Sequence, residues 1–168
     1  NELLTWNRWW ILHRQNNGFL TWGSYLGGNH QEAAWESGLD NSPMYEEAKM
    51  MDVGNNTMYN LADVGLNSMY VADCNYLAKM AKLLGKSNDE KELIARSKKY
   101  SEATQKLWDK NSGIYLNKYL DKEGISERLS PTLFYPMLAG ISTNEQAFTM
   151  ISKHFYNTDE FYSEFLMP

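Results

Sequence analysis

The sequence predicts an all-α fold, an α/α toroid or a helical repeat array, with short β-hairpins in its loops. Three observations carry this. Apolar residues recur at three- and four-residue spacing along most of the 168 residues. The helical stretches are joined by turns so short that consecutive helices must fold back on one another. No strict internal repeat is visible, which argues against the solenoid families with fixed motifs. The length suits one domain or part of one. Lys and Arg total 16 against 21 Asp and Glu, a net charge of −5 with no basic block, which excludes nucleic acid and anionic membrane as main partners. No apolar run approaches the roughly 18 residues of a membrane span, and the first residues lack the plan of a signal peptide. Cys74 is the only cysteine, so an internal disulfide and multi-Cys zinc sites are excluded.

The elements follow in order. Leu3, Trp6, Trp10 and Leu12 or His13 form a stripe that predicts a first helix, with Trp6, Trp9 and Trp10 in the core. The helix stops at Asn16, Asn17 and Gly18, a turn or C-cap composition. Near 62–84 a second helix presents Leu66, Tyr70, Cys74, Leu77, Met80 or Ala81, and Leu84 on one face, with Gly85 where a left-handed cap residue belongs. Ser87 and Glu90 spell a capping box that opens a helix with inner face Leu93, Ser97, Tyr100, Thr104 and Leu107. Residues 109–113 break the pattern; 114–120 read as a strand, 121–124 as a turn and 125–129 as a return strand. Ser130 before Pro131 starts a short helix that ends near Gly140 and that Pro136 kinks or shortens. Thr143 and Gln146 form a second capping box before a helix packed through Ala147, Met150, Ile151, His154 and Phe155. The remainder, 157–168, is acidic and aromatic.

Residues 15–43 contain Gly18, Gly23, Gly27, Gly28, Gly38 and Pro43 without sustained periodicity. A stretch this long inside a domain is functional or disordered. Phe19, Leu20, Trp22, Tyr25, Leu26, Trp35 and Leu39 give it enough to pack, so it reads as an ordered, site-forming loop. Glu36 and Asp40 stand at i and i+4 around Gly38, with Ser37, Asn41 and Ser42 able to fix their rotamers and Trp35 offering a flat apolar face. A carboxyl against an aromatic wall has its pKa raised, which makes a general acid. Spacing alone equally allows Asp40 to cap the helix or turn that follows it.

The run Trp35, Glu36, Ser37, Gly38, Leu39, Asp40, Asn41, Ser42, Pro43 resembles the signature of glycoside hydrolase family 63 and its relatives, the bacterial α-glucosidase and mannosylglycerate hydrolase type enzymes. Trehalases carry a similar E-S-G-x-D. The likeness continues through 63–70, 78–85, Arg128 to Pro131 and 134–140, in the family's order. It implies an (α/α)6 toroid, a six-hairpin barrel, that hydrolyses an α-glycosidic bond of a glucoside- or mannosyl-type disaccharide or small oligosaccharide with inversion. Asp40 is then the acid, and Trp35, Glu36, Asn41, Trp22 and Asn67 belong to the sugar pocket or its surroundings. The family's base Glu has no counterpart here, and the helices number about half of those such a barrel needs. The expectation is a fragment, the N-terminal or middle half of a catalytic domain at 1–168, inactive alone and completed by the remainder of its polypeptide or by an oligomer. The relatives it resembles suggest a bacterial cytoplasm or periplasm. No cofactor or metal is implied: His13, His30 and His154 are scattered without metal-ligand spacing. His13 and His154 read as packed histidines and His30 as a loop residue able to touch a ligand. Trp22 and Trp35 are the rings suited to stacking on sugar C–H faces. Arg128 holds a loop or a hydroxyl. The alternative class is a non-catalytic helical carbohydrate-binding or protein-interaction module.

Overall fold

The structure is a computed structural model that describes residues 2–25 and 27–164. Leu26, and the last four residues of the acidic, aromatic end, lie outside the described residues. Helix α1 spans Glu2–His13. The next two strands, β1 (Gln15–Asn16) and β2 (Phe19–Leu20), close a hairpin around Asn17 and Gly18, both at positive φ (48° and 84°). Asn-Gly suits such a two-residue turn because both central positions are left-handed. Strand β3 (Gly23–Ser24) leads to α2 (His30–Ser37), and β4 (Met50–Val53) and β5 (Asn56–Tyr59) complete a small antiparallel sheet of order β3-β5-β4.

The core of the molecule is a helical hairpin. Helix α3 (Val64–Leu83) buries Leu66, Tyr70, Cys74, Leu77 and Ala81 on the predicted stripe; α4 (Ser87–Gln105) returns antiparallel and meets it through Leu93, Ser97, Tyr100 and Thr104. The Tyr70 and Tyr100 rings cross edge to face at 4.9 Å. Gly85 takes φ 66°, and the Lys86 N–H bonds the Ala81 carbonyl at 2.8 Å, which closes α3 with a left-handed cap. Because that turn consumes Lys86, α4 begins at Ser87 with no side-chain cap, and the Ser87–Glu90 capping box is absent. Of the alternatives Met80 and Ala81 it is Ala81 that faces inward, and Leu84, expected inside, is exposed.

Further on, β7 (Trp108–Asp109) pairs with β8 (Ile114–Tyr115), and β9 (Lys118–Tyr119) pairs with β6 (Leu61–Ala62). The strand over 114–120 is thus two short strands, one paired with the adjacent β7 and the other with the distant β6, and the expected return strand is reduced to a single bridge from Lys118 to Ile125. The 109–113 break is the turn of the β7–β8 hairpin. After Ser130 the chain runs as a 3-10 turn, Pro131–Phe134, and then as α5 (Tyr135–Leu138); the division falls where Pro136 removes a backbone donor. Helix α6 (Asn144–Met150) opens on the predicted Thr143–Gln146 capping box and ends in a π-helical turn, Ile151–Phe155, that carries buried His154.

Helix α1 overturns the first stripe. Leu3, Trp6 and Leu12 are exposed at 61%, 55% and 69%, while Leu4, Asn7 and the following Arg14 face inward. Trp9 and Trp10 are half-buried. The physical reason is polar. Asn7 bonds Asp73 (2.7 Å), Tyr70 (3.1 Å) and Arg96 (2.8 Å), partners that only the tertiary fold supplies.

Candidate active site

Within the stretch predicted to be irregular, residues 30–37 form α2. Asn29 caps it by accepting from Gln31 N–H at 2.9 Å, and Gly38, at φ 72°, ends it. Ser37 donates to the Ala34 carbonyl (2.6 Å) and accepts from Leu39 N–H (3.0 Å), which turns the chain sharply after the helix. Ser42, not Asp40, caps the next 3-10 turn, Pro43–Tyr45. The serines are therefore spent on backbone and hold neither carboxylate.

Asp40 sits on the crest of this turn, exposed, with its carbonyl bonded by Gln31 Nε2 at 3.1 Å. Among the described residues its carboxylate has no hydrogen-bond or ion-pair partner. Asn41 is exposed beside it, and Trp35 is 57% exposed. The predicted aromatic wall around the acid is thus not built by the described residues. Glu36 is the opposite case. Arg14 donates to it from Nε (2.6 Å) and Nη2 (2.5 Å), and Gly23 N–H adds a third bond at 2.9 Å. The Arg14 side chain is 3% exposed, and its guanidinium also lies 4.8 Å from the Trp9 ring. Bidentate pairing of this kind fixes geometry as well as charge. Arg14 was missed in the sequence because it falls beyond the first helical stripe and its partner lies 22 residues on.

Below the turn lies a buried polar stack. The Tyr45 hydroxyl donates to Asp63 Oδ2 (3.1 Å), and Asp63 Oδ1 caps α3 by accepting from Leu66 N–H (2.7 Å). Burial raises the Asp63 pKa, and the bonds from Leu66 and Tyr45 only partly oppose that. Tyr45 stacks on Tyr59 at 5.3 Å, whose hydroxyl donates to the His30 carbonyl at 2.7 Å. Burial lifts the Tyr59 phenol to about 12, so it stays neutral. His30, itself exposed, meets the Tyr45 carbonyl at 3.0 Å.

The remaining candidates lie apart from the crest. Trp22 is half-buried between two apolar clusters, edge-on to Trp10 at 5.6 Å. Its indole N–H makes no hydrogen bond of ordinary geometry, although it lies close enough to Asp63 to favour that group's charged form. Asn67 is fully buried and ties α3 to β2: it accepts from Leu20 N–H (2.9 Å) and donates to the Leu20 carbonyl (2.8 Å). Arg128 pairs with Glu46 (3.1 Å) and Glu47 (3.0 Å), a loop-holding contact. His13 bonds Asn56 (3.1 Å), and His154 bonds Glu160 (2.6 Å) and the Ser112 carbonyl (3.0 Å). Among the described residues no group of three or more His, Cys, Asp or Glu is placed to hold a metal ion, and no helix is long and apolar enough to cross a membrane.

Comparison with known proteins places this helical scaffold among the glycoside hydrolase domains. Across residues 1–168 the chain matches the mannosylglycerate hydrolase MGH1-like glycoside hydrolase domain, and it belongs to that family. No curated protein is significantly similar to it in sequence. Among solved structures, an uncharacterized conserved protein from Thermus thermophilus superposes with TM-score 0.74 at 19% identity, covering 98% of this chain and 47% of that one. The GH63 mannosylglycerate hydrolase from the same organism, in complex with glucose, gives 0.67 at 18% identity over 87% of this chain and 41% of its own. Neutral trehalase from Saccharomyces cerevisiae gives 0.59 at 24%, over 74% and 23%. These likenesses concern the fold, and the chain spans less than half the length of each.

Proposed function

We propose that the chain is the acid-bearing part of an (α/α)6 glycoside hydrolase that cleaves an α-glycosidic bond, of glucoside or mannosyl type in a disaccharide or small oligosaccharide, with inversion. The observation that carries the reading is the contrast within one turn. Glu36 has both oxygens committed to Arg14 and Gly23, whereas the Asp40 carboxyl is exposed and unbound. Of the two motif carboxylates only Asp40 is available to move a proton.

In this reading protonated Asp40 gives its proton to the leaving-group oxygen. A second carboxylate, roughly 6.5–9.5 Å away, takes a proton from the water that attacks the anomeric carbon from the other side. That base, and the wall that desolvates Asp40, come from the remainder of the polypeptide or from an oligomer partner. The exposed apolar residues Leu3, Trp6 and Leu12 support such a completion. Trp35 and Asn41 contact the sugar by stacking and hydrogen bonding. Glu36, Trp22 and Asn67 act from beneath, by keeping α2 and the β1–β2 hairpin in place.

The test is hydrolysis by the whole polypeptide that carries this chain. Asp40→Asn is expected to lower kcat by about 10²–10⁴, with unfolding free energy within about 0.5 kcal/mol of wild type. NMR of the first-formed product is expected to show the inverted anomer. Wild-type turnover by Asp40→Asn overturns the acid role. Sugar binding without turnover by the wild-type polypeptide points instead to a non-catalytic carbohydrate-binding or interaction module, the reading that the open face around Asp40 favours.

A further inference from the structure

A concavity lies at the C-terminal end of α1, where Ser24 and Tyr25 meet the β4–β5 turn. It encloses ≈ 520 Å³ and is lined by Trp9, His13, Arg14, Tyr25, Asn55 and Asn56, among others. That volume falls in the range of about 300–1,000 Å³ usual for small-molecule sites. None of the sequence motifs pointed to it. We propose that this pocket is a carbohydrate subsite that takes one neutral hexose unit.

The chemistry follows from the lining. Arg14 uses three guanidinium N–H groups, two on Glu36 and one on the His13 carbonyl (2.9 Å), out of the five it has. That side chain is only 3% exposed, so it acts as a fixed part of the wall, and its charge is already matched by Glu36. The wall is therefore polar but close to neutral, which suits hydroxyl groups and gives a sugar acid no advantage. Asn55 is exposed, and its amide has no partner among the described residues. Asn56 keeps its amide N–H groups while its carbonyl oxygen meets His13 at 3.1 Å. Two neighbouring amides supply donors and an acceptor together, which is what adjacent sugar hydroxyls require. Tyr25 is 87% exposed, so its ring can cover the apolar C–H face of a pyranose. Trp9 cannot play that part, since Trp6 stacks on it at 5.2 Å and Arg14 lies over it; it forms the floor. Through Arg14 and Glu36 the pocket is tied to the helix that carries the Asp40 turn, so a sugar held here and one held at Asp40 share one rigid element.

The proposal is independent of the acid role of Asp40, because it concerns binding alone. The experiment titrates the whole polypeptide with glucose by calorimetry, and with glucuronate in parallel. Tyr25→Ala and Asn55→Ala change exposed residues outside the Asp40 turn. Each is expected to weaken glucose binding about fivefold, the scale of one hydrogen bond or one ring contact. The double variant is expected to lose tenfold or more. Glucuronate is expected to bind no tighter than glucose, and Asp40→Asn to bind glucose at this site as wild type does. Unchanged glucose affinity in the double variant, or no glucose binding by the wild type, overturns the subsite. Loss of hydrolysis in Asp40→Asn bears only on the acid.

Discussion

The α3–α4 hairpin and the segment that leads into it are held together by different forces. Along the hairpin, Leu66, Tyr70, Cys74, Leu77 and Ala81 meet Leu93 and Tyr100 in one apolar cluster. From Arg14 to Asn67 a smaller apolar cluster around Ala33, Met44, Tyr59 and Leu61 is supplemented by polar ties that are individually placed. Arg14 holds Glu36, Asn67 holds Leu20, Tyr45 holds Asp63, and Thr21 donates to the Tyr59 carbonyl at 2.8 Å. An apolar interface tolerates small errors of shape, because burial is non-directional. A buried polar pair does not, because either partner left alone is a desolvated group without compensation. The region that carries the candidate acid is thus the more exacting of the two.

The strongest way to break this contrast is Glu36→Ala. It leaves the Arg14 guanidinium nearly buried with its counter-charge gone, and breaking a buried pair from one side costs about 3–5 kcal/mol. The Glu36 side chain is 21% exposed, so the expected loss is about 3 kcal/mol, read from urea unfolding of the whole polypeptide. A loss below about 1 kcal/mol puts the pair with ordinary surface ion pairs and removes the contrast.

A sharper comparison applies one substitution to both regions. At Gly23 an added Cβ meets Arg14 Nε at 2.7 Å and the Thr57 carbonyl oxygen at 2.8 Å. The guanidinium is clamped by Glu36 and the carbonyl belongs to β5, so neither gives way cheaply; Gly23→Ala is expected to cost about 1–3 kcal/mol, as overpacking does. At Gly85 nothing lies within 4 Å, and φ is +66°. Gly85→Ala therefore isolates the left-handed strain, about 1 kcal/mol. Equal losses in thermal unfolding erase the distinction between a packed polar site and a simple cap.

The same division decides what was legible in the sequence. The hairpin could be read because its information is local: periodicity selects Tyr70, Leu77, Leu93 and Tyr100, and Gly85 marks the turn. The Thr143–Gln146 box was legible for the same reason. Asn7 and Arg14 were not, since they face inward only to meet Tyr70, Arg96 and Glu36, and no window of one helix contains those partners. Helix α2 escaped because its eight residues lie between glycines and carry too few apolar positions to register a period. The motif around Asp40 was visible as a string of residues, but the allocation of its serines to backbone capping and of Glu36 to Arg14 was not.

The smallest expected effect is confined to a pH window and tests whether the polar stack below the turn is held by charge or by shape. Asp63 is buried, and burial raises its carboxyl above the ordinary 3.8. The folded chain therefore binds this proton more tightly than the unfolded chain does. The stability that results is fully present below the unfolded value and is lost as pH rises through the raised folded value. An amide at this position has no such proton, while Asn caps a helix as well as Asp does and still offers an oxygen to Leu66 N–H. Asp63→Asn is expected to unfold with wild-type stability below pH 3.8 and to lack the decline that the wild type shows on the way to neutrality. A variant that is destabilised equally at both ends of that range shows that the tie depends on the shape and hydrogen bonds of the acid whatever its charge, whereas a loss confined to the neutral end shows that Tyr45 needs a carboxylate as its acceptor.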